Sequence, residues 1–576
     1  MRNRLISALF ILTISACAQM PPKIAEQQDA PPSVSTAKAK PLYADLPNQD
    51  LTNKLLFEYL LAETALQRDH PQVAIGTYLD LAKSTRDPRI AQRATEVALA
   101  TRQAQAALEA ATIWLQTAPD SVTARQTVAA LLVNAGKLDE ARPHLEKLLV
   151  VDPANVGKAF LQLNNLLARH SQKAATLKLV TQLAQPHATL PESHFAVAQA
   201  ALLANELEVA LAASKRALQL KPGWELAAVY QGQIRQKQSA ASAEAFYKQY
   251  LRDYPKSNEV RLSYARLLVA EKNYAAARNE FQQLLADNAN NADIALAVAL
   301  LSMELRDFDV AETNLKRLLA LNYKDPDDVH FYLAQIYEET KRIPQAMAEY
   351  LAIDDGERYF PAQIKYADLL AKQGKLSEAR THLRELPADN NQQRAQVILA
   401  ESQLLREAHL YQQAFDFLSA SLEKLPNYPD LLYDRAMTAE KLDQLVVMEQ
   451  DLRKVIQIKP DHAHAYNALG YSLADRGERL PEALALIEKA VQLAPDDPFI
   501  LDSLGWAHYR MGNLTEGLKQ LQRAYAAKPD PEIAAHLGEL LWRQGAKEKA
   551  REIWQAALKS HPTNESLLSV IKKFAP

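Results

Sequence analysis

The chain has 576 residues, 66 basic and 69 acidic, with a formal charge of −3. That near balance excludes the broad basic footprint of a nucleic-acid binder. One cysteine, Cys17, is present, so folding must rest on packing without a disulfide, whatever the redox compartment.

At the amino end, Arg2 and Arg4 precede an uncharged apolar stretch over residues 5–16. This is the pattern of a secretory signal, and it is too short for a membrane span of about 20 residues. Ile14-Ser15-Ala16-Cys17 resembles the bacterial lipobox. The resemblance implies cleavage before Cys17 and acylation of its thiol and amine, which would hold the protein at a bilayer. Ala18 stands where lipoproteins kept at the inner membrane typically carry Asp, so the same resemblance implies the periplasmic face of the outer membrane. Residues 1–16 are thus expected to be a signal peptide and 17–50 a lipidated cysteine with a disordered tether rich in Pro, Ala, Gln and Ser. A flexible tether of that length reaches roughly 30 Å, and its six prolines lengthen it. No later run is long and apolar enough to span a membrane.

From residue 51 onward the chain repeats itself. Pro460, Pro495, Pro529 and Pro562 are spaced by 35, 34 and 33 residues, and Leu469-Gly470, Leu504-Gly505 and Leu537-Gly538 recur in step. These units resemble tetratricopeptide repeats, which want Leu at position 7, a small residue at 8, Ala at 20, a bulky residue at 24 and Pro at 32. Carried backwards, position 20 falls on Ala74, Ala107, Ala141, Ala174, Ala210, Ala243, Ala277, Ala311, Ala346, Ala379 and Ala414, then Met448, Ala483, Gly517 and Ala550. Met448 and Gly517 depart from the pattern, and the units near 155 and 429 match poorly at positions 7 and 8. The unit at 463 has an extra residue in its turn, GERLPEA. Small residues at 8 and 20 let two helices cross closely. Gly136, Gly374, Gly477, Gly512 and Gly545 fall at position 15, where a left-handed helix end favours glycine.

One unit of 34 residues loses about 50 kcal/mol of conformational freedom, at roughly 1.5 kcal/mol per residue. It needs neighbours stacked on both faces. The expected fold is therefore all-α: a right-handed superhelical solenoid of about 15 helix pairs over 51–564, with a capping helix and tail at 565–576.

Residues that would carry chemistry are sparse. The Gly-Lys pairs at 136–137 and 374–375 lie in inter-helix turns and lack the phosphate-loop pattern. His462 and His464 are two residues apart at a helix start, so they diverge, and no HExxH or second cysteine accompanies them. There is no G-x-S-x-G elbow. No cofactor, metal or enzymatic activity is expected.

What remains is surface. Positions 2, 5, 9 and 12 share one helix face, which this family turns toward a concave groove. In the carboxyl third that face carries Asp430 and Tyr433; His464, Asn467 and Tyr471; Phe499, Asp502, Trp506 and Tyr509; and Glu532, Glu539 and Trp542. Aromatics are enriched at binding hot spots, so Tyr433, Asn467, Tyr471, Phe499, Asp502, Trp506, Tyr509 and Trp542 are the candidate partner-binding groove. Tyr509 and Trp542 at position 12 would equally suit packing on the next repeat. Asn467 occupies a position that peptide-clamping members use for carboxylates, but the clamp's basic partners are missing.

The segments HAYNALGYSLADRG and EALALIEKAVQLAPDDPFILDSLGWAHYRMGN within 464–513, followed by 524–554, resemble the large repeat-built outer-membrane lipoproteins of Proteobacteria, of the LbcA type. The resemblance implies a non-catalytic adaptor. Such a lipoprotein binds a periplasmic Ser-Lys carboxyl-terminal processing protease and helps it degrade peptidoglycan hydrolases. The competing expectation is an assembly scaffold for a secretion, pilus or polysaccharide-export system. The sequence leaves the oligomeric state open.

Overall fold

The computed structural model describes residues 46–47, 49–167 and 170–574. The signal segment, Cys17 and the tether up to residue 45 lie outside the described residues. Among those described there are thirty-one α-helices and no strand: fifteen consecutive pairs from Asn53–Gln67 with Pro71–Thr85 to Pro531–Arg543 with Lys547–Ser560, then a last helix Glu565–Phe574. No described helix is long and apolar enough to cross a membrane. The chain divides into two compact units after Tyr323.

Within each pair the helices cross where side chains are smallest. Ala74, Ala107, Ala141, Ala210, Ala243, Ala277 and Ala311 are fully buried. A Cβ at Gly470 would lie 2.6 Å from Ile487 Cγ1, and one at Gly505 would lie 2.6 Å from Leu521 Cγ. Gly517 meets the same crossing from the other side, 3.0 Å from the Gly505 carbonyl. Glycine at both contact positions brings these two backbones together, which accounts for the missing alanine. Met448 is also fully buried, in the repeat whose own position 8 is Ala436.

The turn between paired helices is left-handed in most repeats whether or not glycine is available; between Glu225–Gln238 and Ala240–Asp253 the single linking residue, Ser239, is extended instead. Gly477 and Gly512 have φ of 72° and 86°, while Arg102, Asn205, Lys272, Arg306, His409 and Asp443 take φ of 58° to 60° at the equivalent place. Each non-glycine residue there costs about 1–2 kcal/mol, tolerated because the turn sets how both helices pack. In the GERLPEA turn a second residue, Arg479, is left-handed at φ 45°, and its guanidinium reaches Glu449 of the preceding repeat at 2.5 Å.

Two repeats are redistributed. The second helices Ile343–Leu351 and Leu376–Glu385 stop early, and the following first helices, Gly356–Lys372 and Asn391–Glu407, begin early and run 17 residues. Pro387 ends the latter of the two short helices. The weak unit at 429 substitutes charge for leucine. Arg435 stands at position 7 and makes paired bonds of 2.7 and 2.8 Å to the buried Asp451 on the second helix. One repeat earlier, Glu401 at the same position is fully buried and receives Arg380 and Arg384 at 2.8 and 2.5 Å. The unit near 155 starts with a short 3-10 turn, Pro153–Asn155, that leads into Val156–Leu167.

Candidate functional site

Four first helices carry the candidate groove: Pro429–Lys441, Ala463–Arg476, Pro498–Arg510 and Pro531–Arg543. Their starts are set locally. Asp497 accepts from the Phe499 and Ile500 amides at 2.9 and 3.1 Å, and Asp530 accepts from Glu532 at 3.0 Å. Each is followed by proline at the first helical position, whose missing N–H costs nothing there. His462 Nδ1 accepts from the Ala465 amide at 3.1 Å, and its ring lies 5.1 Å from Tyr433. This imidazole closes a helix, and His464 is exposed. Among the described residues no group of three His, Cys, Asp or Glu is placed to hold a metal ion.

The centre of the face is Trp506, 6% exposed. Its Nε1–H donates to Asp475 Oδ1 at 3.0 Å, and its indole stacks on the His536 imidazole with centroids 4.2 Å apart. Tyr509 packs on the same indole at 4.9 Å and donates to Glu539 at 3.1 Å. His536 Nδ1 bonds Asp502 Oδ2 at 2.9 Å, and its Nε2 meets the Tyr471 hydroxyl at 3.4 Å. Tyr471 and His536 are 65 residues apart, with a whole repeat between them. Side chains two repeats apart touch only where the first helices converge. This is therefore the concave side of these repeats.

Burial disfavours the charged form of His536, but the Asp502 carboxylate, aided by Asp475 and Glu532, raises its pKa on balance. The Tyr471 hydroxyl is pushed up by burial and then by Asp475, Asp502, Glu532 and Glu440, one carboxylate from each of the four helices. It therefore stays protonated at neutral pH.

The structure brings Tyr471, Asp502, Trp506 and Tyr509 into one cluster. Tyr433 lies beside His462 instead. Phe499 is 40% exposed with the Lys528 ammonium 4.2 Å over its ring. Trp542 stacks on Trp554 at 5.7 Å and meets Phe574 at 6.4 Å, so it packs the terminal helix. Asn467 Oδ1 is buried with no hydrogen-bond partner, as is Asp502 Oδ1. His536, Asp475 and Glu440 complete the face and were not among the sequence candidates. His536 and Asp475 stand four residues beyond positions 2 and 9, where the helical period admits them to the same stripe.

Comparisons with known proteins agree on the repeat. One family model, described as tetratricopeptide repeat, matches residues 296–358, 439–498 and 503–565, and a second with the same description matches 235–301. The TPR repeat-containing protein PA4667 of Pseudomonas aeruginosa is 38% identical over 500 residues, which cover 84% of this chain and 82% of that protein. Among solved structures, MamA (residue 41 to the end) from Desulfovibrio magneticus is 22% identical with a TM-score of 0.26, covering 30% of this chain and 97% of its own. TTC0263, a thermophilic TPR protein of Thermus thermophilus, is 22% identical with a TM-score of 0.29, covering 31% of this chain and 96% of its own. Neither structural likeness bears weight at that score.

Proposed function

The chain belongs to the tetratricopeptide-repeat family, whose repeats make protein-interaction scaffolds, and from that premise we propose a specific role. It is a non-catalytic lipoprotein at the periplasmic face of the outer membrane, held there by acyl chains on Cys17. It binds a periplasmic carboxyl-terminal processing protease and helps it degrade peptidoglycan hydrolases. The resemblance of residues 464–513 and 524–554 to protease-partnering lipoproteins supports the partner, and the lipobox at 14–17 supports the anchor. The observation that carries the binding role is the concave aromatic and carboxylate face around Trp506 and Tyr471, joined across three repeats.

Mechanistically, the scaffold holds protease and client on one tethered body. Linking two binding events makes the second intramolecular, which raises engagement by orders of magnitude without any new contact. Affinity capture by the mature chain from periplasmic extract tests this. The expected result is recovery of a carboxyl-terminal processing protease, reduced by Tyr471→Ala with helical content unchanged. Recovery of an outer-membrane pore component in its place would transfer the role to the assembly-scaffold alternative.

A further inference from the structure

We infer that the concave face of the last four repeats receives a basic, extended segment of a partner protein. The inference rests on the reading of the chain as a protein-binding scaffold and specifies what that face selects.

Charge comes first. Glu440, Asp475, Asp502 and Glu532, from four successive repeats, all act on the one Tyr471 hydroxyl. The local cations offset them only in part: Arg510 approaches Asp475 at 3.6 Å, Arg476 turns to Glu478 at 3.6 Å while it and Lys441 also act on Glu440, and His536 is committed to Asp502. Glu440 and Glu532 form no ion pair among the described residues. Asp475 is half exposed and Glu532 exposed, so both are open to an incoming group. A concave surface lined by one sign of charge concentrates the opposite sign.

Hydrogen-bonding capacity points the same way. The unsatisfied buried atoms on this face, Asn467 Oδ1 and Asp502 Oδ1, are both acceptors, and the Asp502 side chain is 9% exposed. A face with surplus acceptors is completed by donors, and Lys, Arg and peptide N–H groups supply only donors. Shape agrees as well. Tyr471 and Tyr509, both partly exposed over the buried Trp506, offer ring surface for aliphatic stems and for cation–π contact. Neighbouring helices pack about 9 Å apart. An extended chain advances about 3.3 Å per residue, so a cation at every third residue meets successive repeats. A clamp for a terminal carboxylate would need the reverse polarity.

The test is fluorescence anisotropy of the full chain with two labelled twelve-residue probes, one repeating Lys-Ala-Ala and one repeating Glu-Ala-Ala. The lysine probe is expected to bind, to weaken as salt is raised, and to lose about tenfold in affinity when Glu440→Gln, Asp475→Asn and Glu532→Gln are combined. A charge-matched control, Glu423→Gln, Glu488→Gln and Glu548→Gln on the second helices, is expected to bind as the parent does. Circular dichroism checks that both variants fold. Equal loss in the two triple variants, tighter binding of the glutamate probe, or no binding of either probe would overturn the inference. Protease capture is read separately, so basic-peptide binding without protease recovery would defeat the proposed partner and leave this inference standing.

Discussion

Replacing Asp502 with Asn probes the ion pair at the centre of the concave face. The amide keeps the shape of the side chain and can still accept from His536 Nδ1, but it removes the charge. The two side chains are 9% and 16% exposed and meet at 2.9 Å, so solvent screens them weakly. A hydrogen bond to a charged group contributes about 1.5–3 kcal/mol, and that is the expected loss at pH 5.5. The sign with pH follows from the raised pKa of His536. Its stabilisation is fully present below the unfolded value near 6.5 and is lost as pH rises through the folded value. At a pH above that folded midpoint, found by the NMR titration, the imidazole is neutral in parent and variant, so the cost of Asp502→Asn there falls well below its value at pH 5.5. The assay is urea unfolding followed by tryptophan fluorescence at both pH values, with NMR titration of His536. The NMR midpoint is expected above 6.5 in the parent and lower in the variant, because burial is then opposed only by Asp475 and Glu532. An equal destabilisation at both pH values would refute the reasoning.

Other outcomes follow from the same geometry. Gly512→Ala meets no neighbouring atom but must hold φ at 86°, so it costs about 1–2 kcal/mol, measured by urea unfolding. Glu401→Ala removes a fully buried carboxylate and leaves Arg380, 24% exposed, without it, while Arg384, 54% exposed, turns to water; it costs about 1–3 kcal/mol, read as lost amide protection in Asn391–Glu407. The Glu449 pKa is lowered to about 2 by Arg479 and Arg453, so its contribution is present above the unfolded value near 4.5 and disappears as pH falls toward 2. Glu449→Gln is expected to flatten that part of the acid-unfolding profile. Cys17→Ser is expected to move the protein from the membrane pellet to the soluble fraction; retention in the pellet would remove the anchor.

The repeat itself was legible because it is written at short range. Leucine, a small residue and alanine recur at fixed spacing, and small residues at a helix crossing have one physical use. The left-handed turn was legible only at its glycines, since Lys272 or Arg306 in the same conformation has no compositional mark. The early starts at Gly356 and Asn391 were hidden because alanine spacing reports the second helix and says little about where the next first helix begins. Arg435 and Glu401 looked like failed matches because a buried ion pair replaces leucine there. The groove was half legible. Helical period put Tyr471, Asp502 and Trp506 on one face, which is all that the structure tests of them, but the contact from Tyr471 to His536 depends on curvature accumulated over two repeats, which no local spacing records.

The central claim is that this chain holds other molecules together and does not transform them. Its most direct test is the degradation rate of a peptidoglycan hydrolase by purified processing protease, with and without the mature chain. Faster loss of the hydrolase is predicted when the chain is present with protease, and no loss with the chain alone. A rate unchanged by the chain, or cleavage by the chain without protease, would contradict the claim.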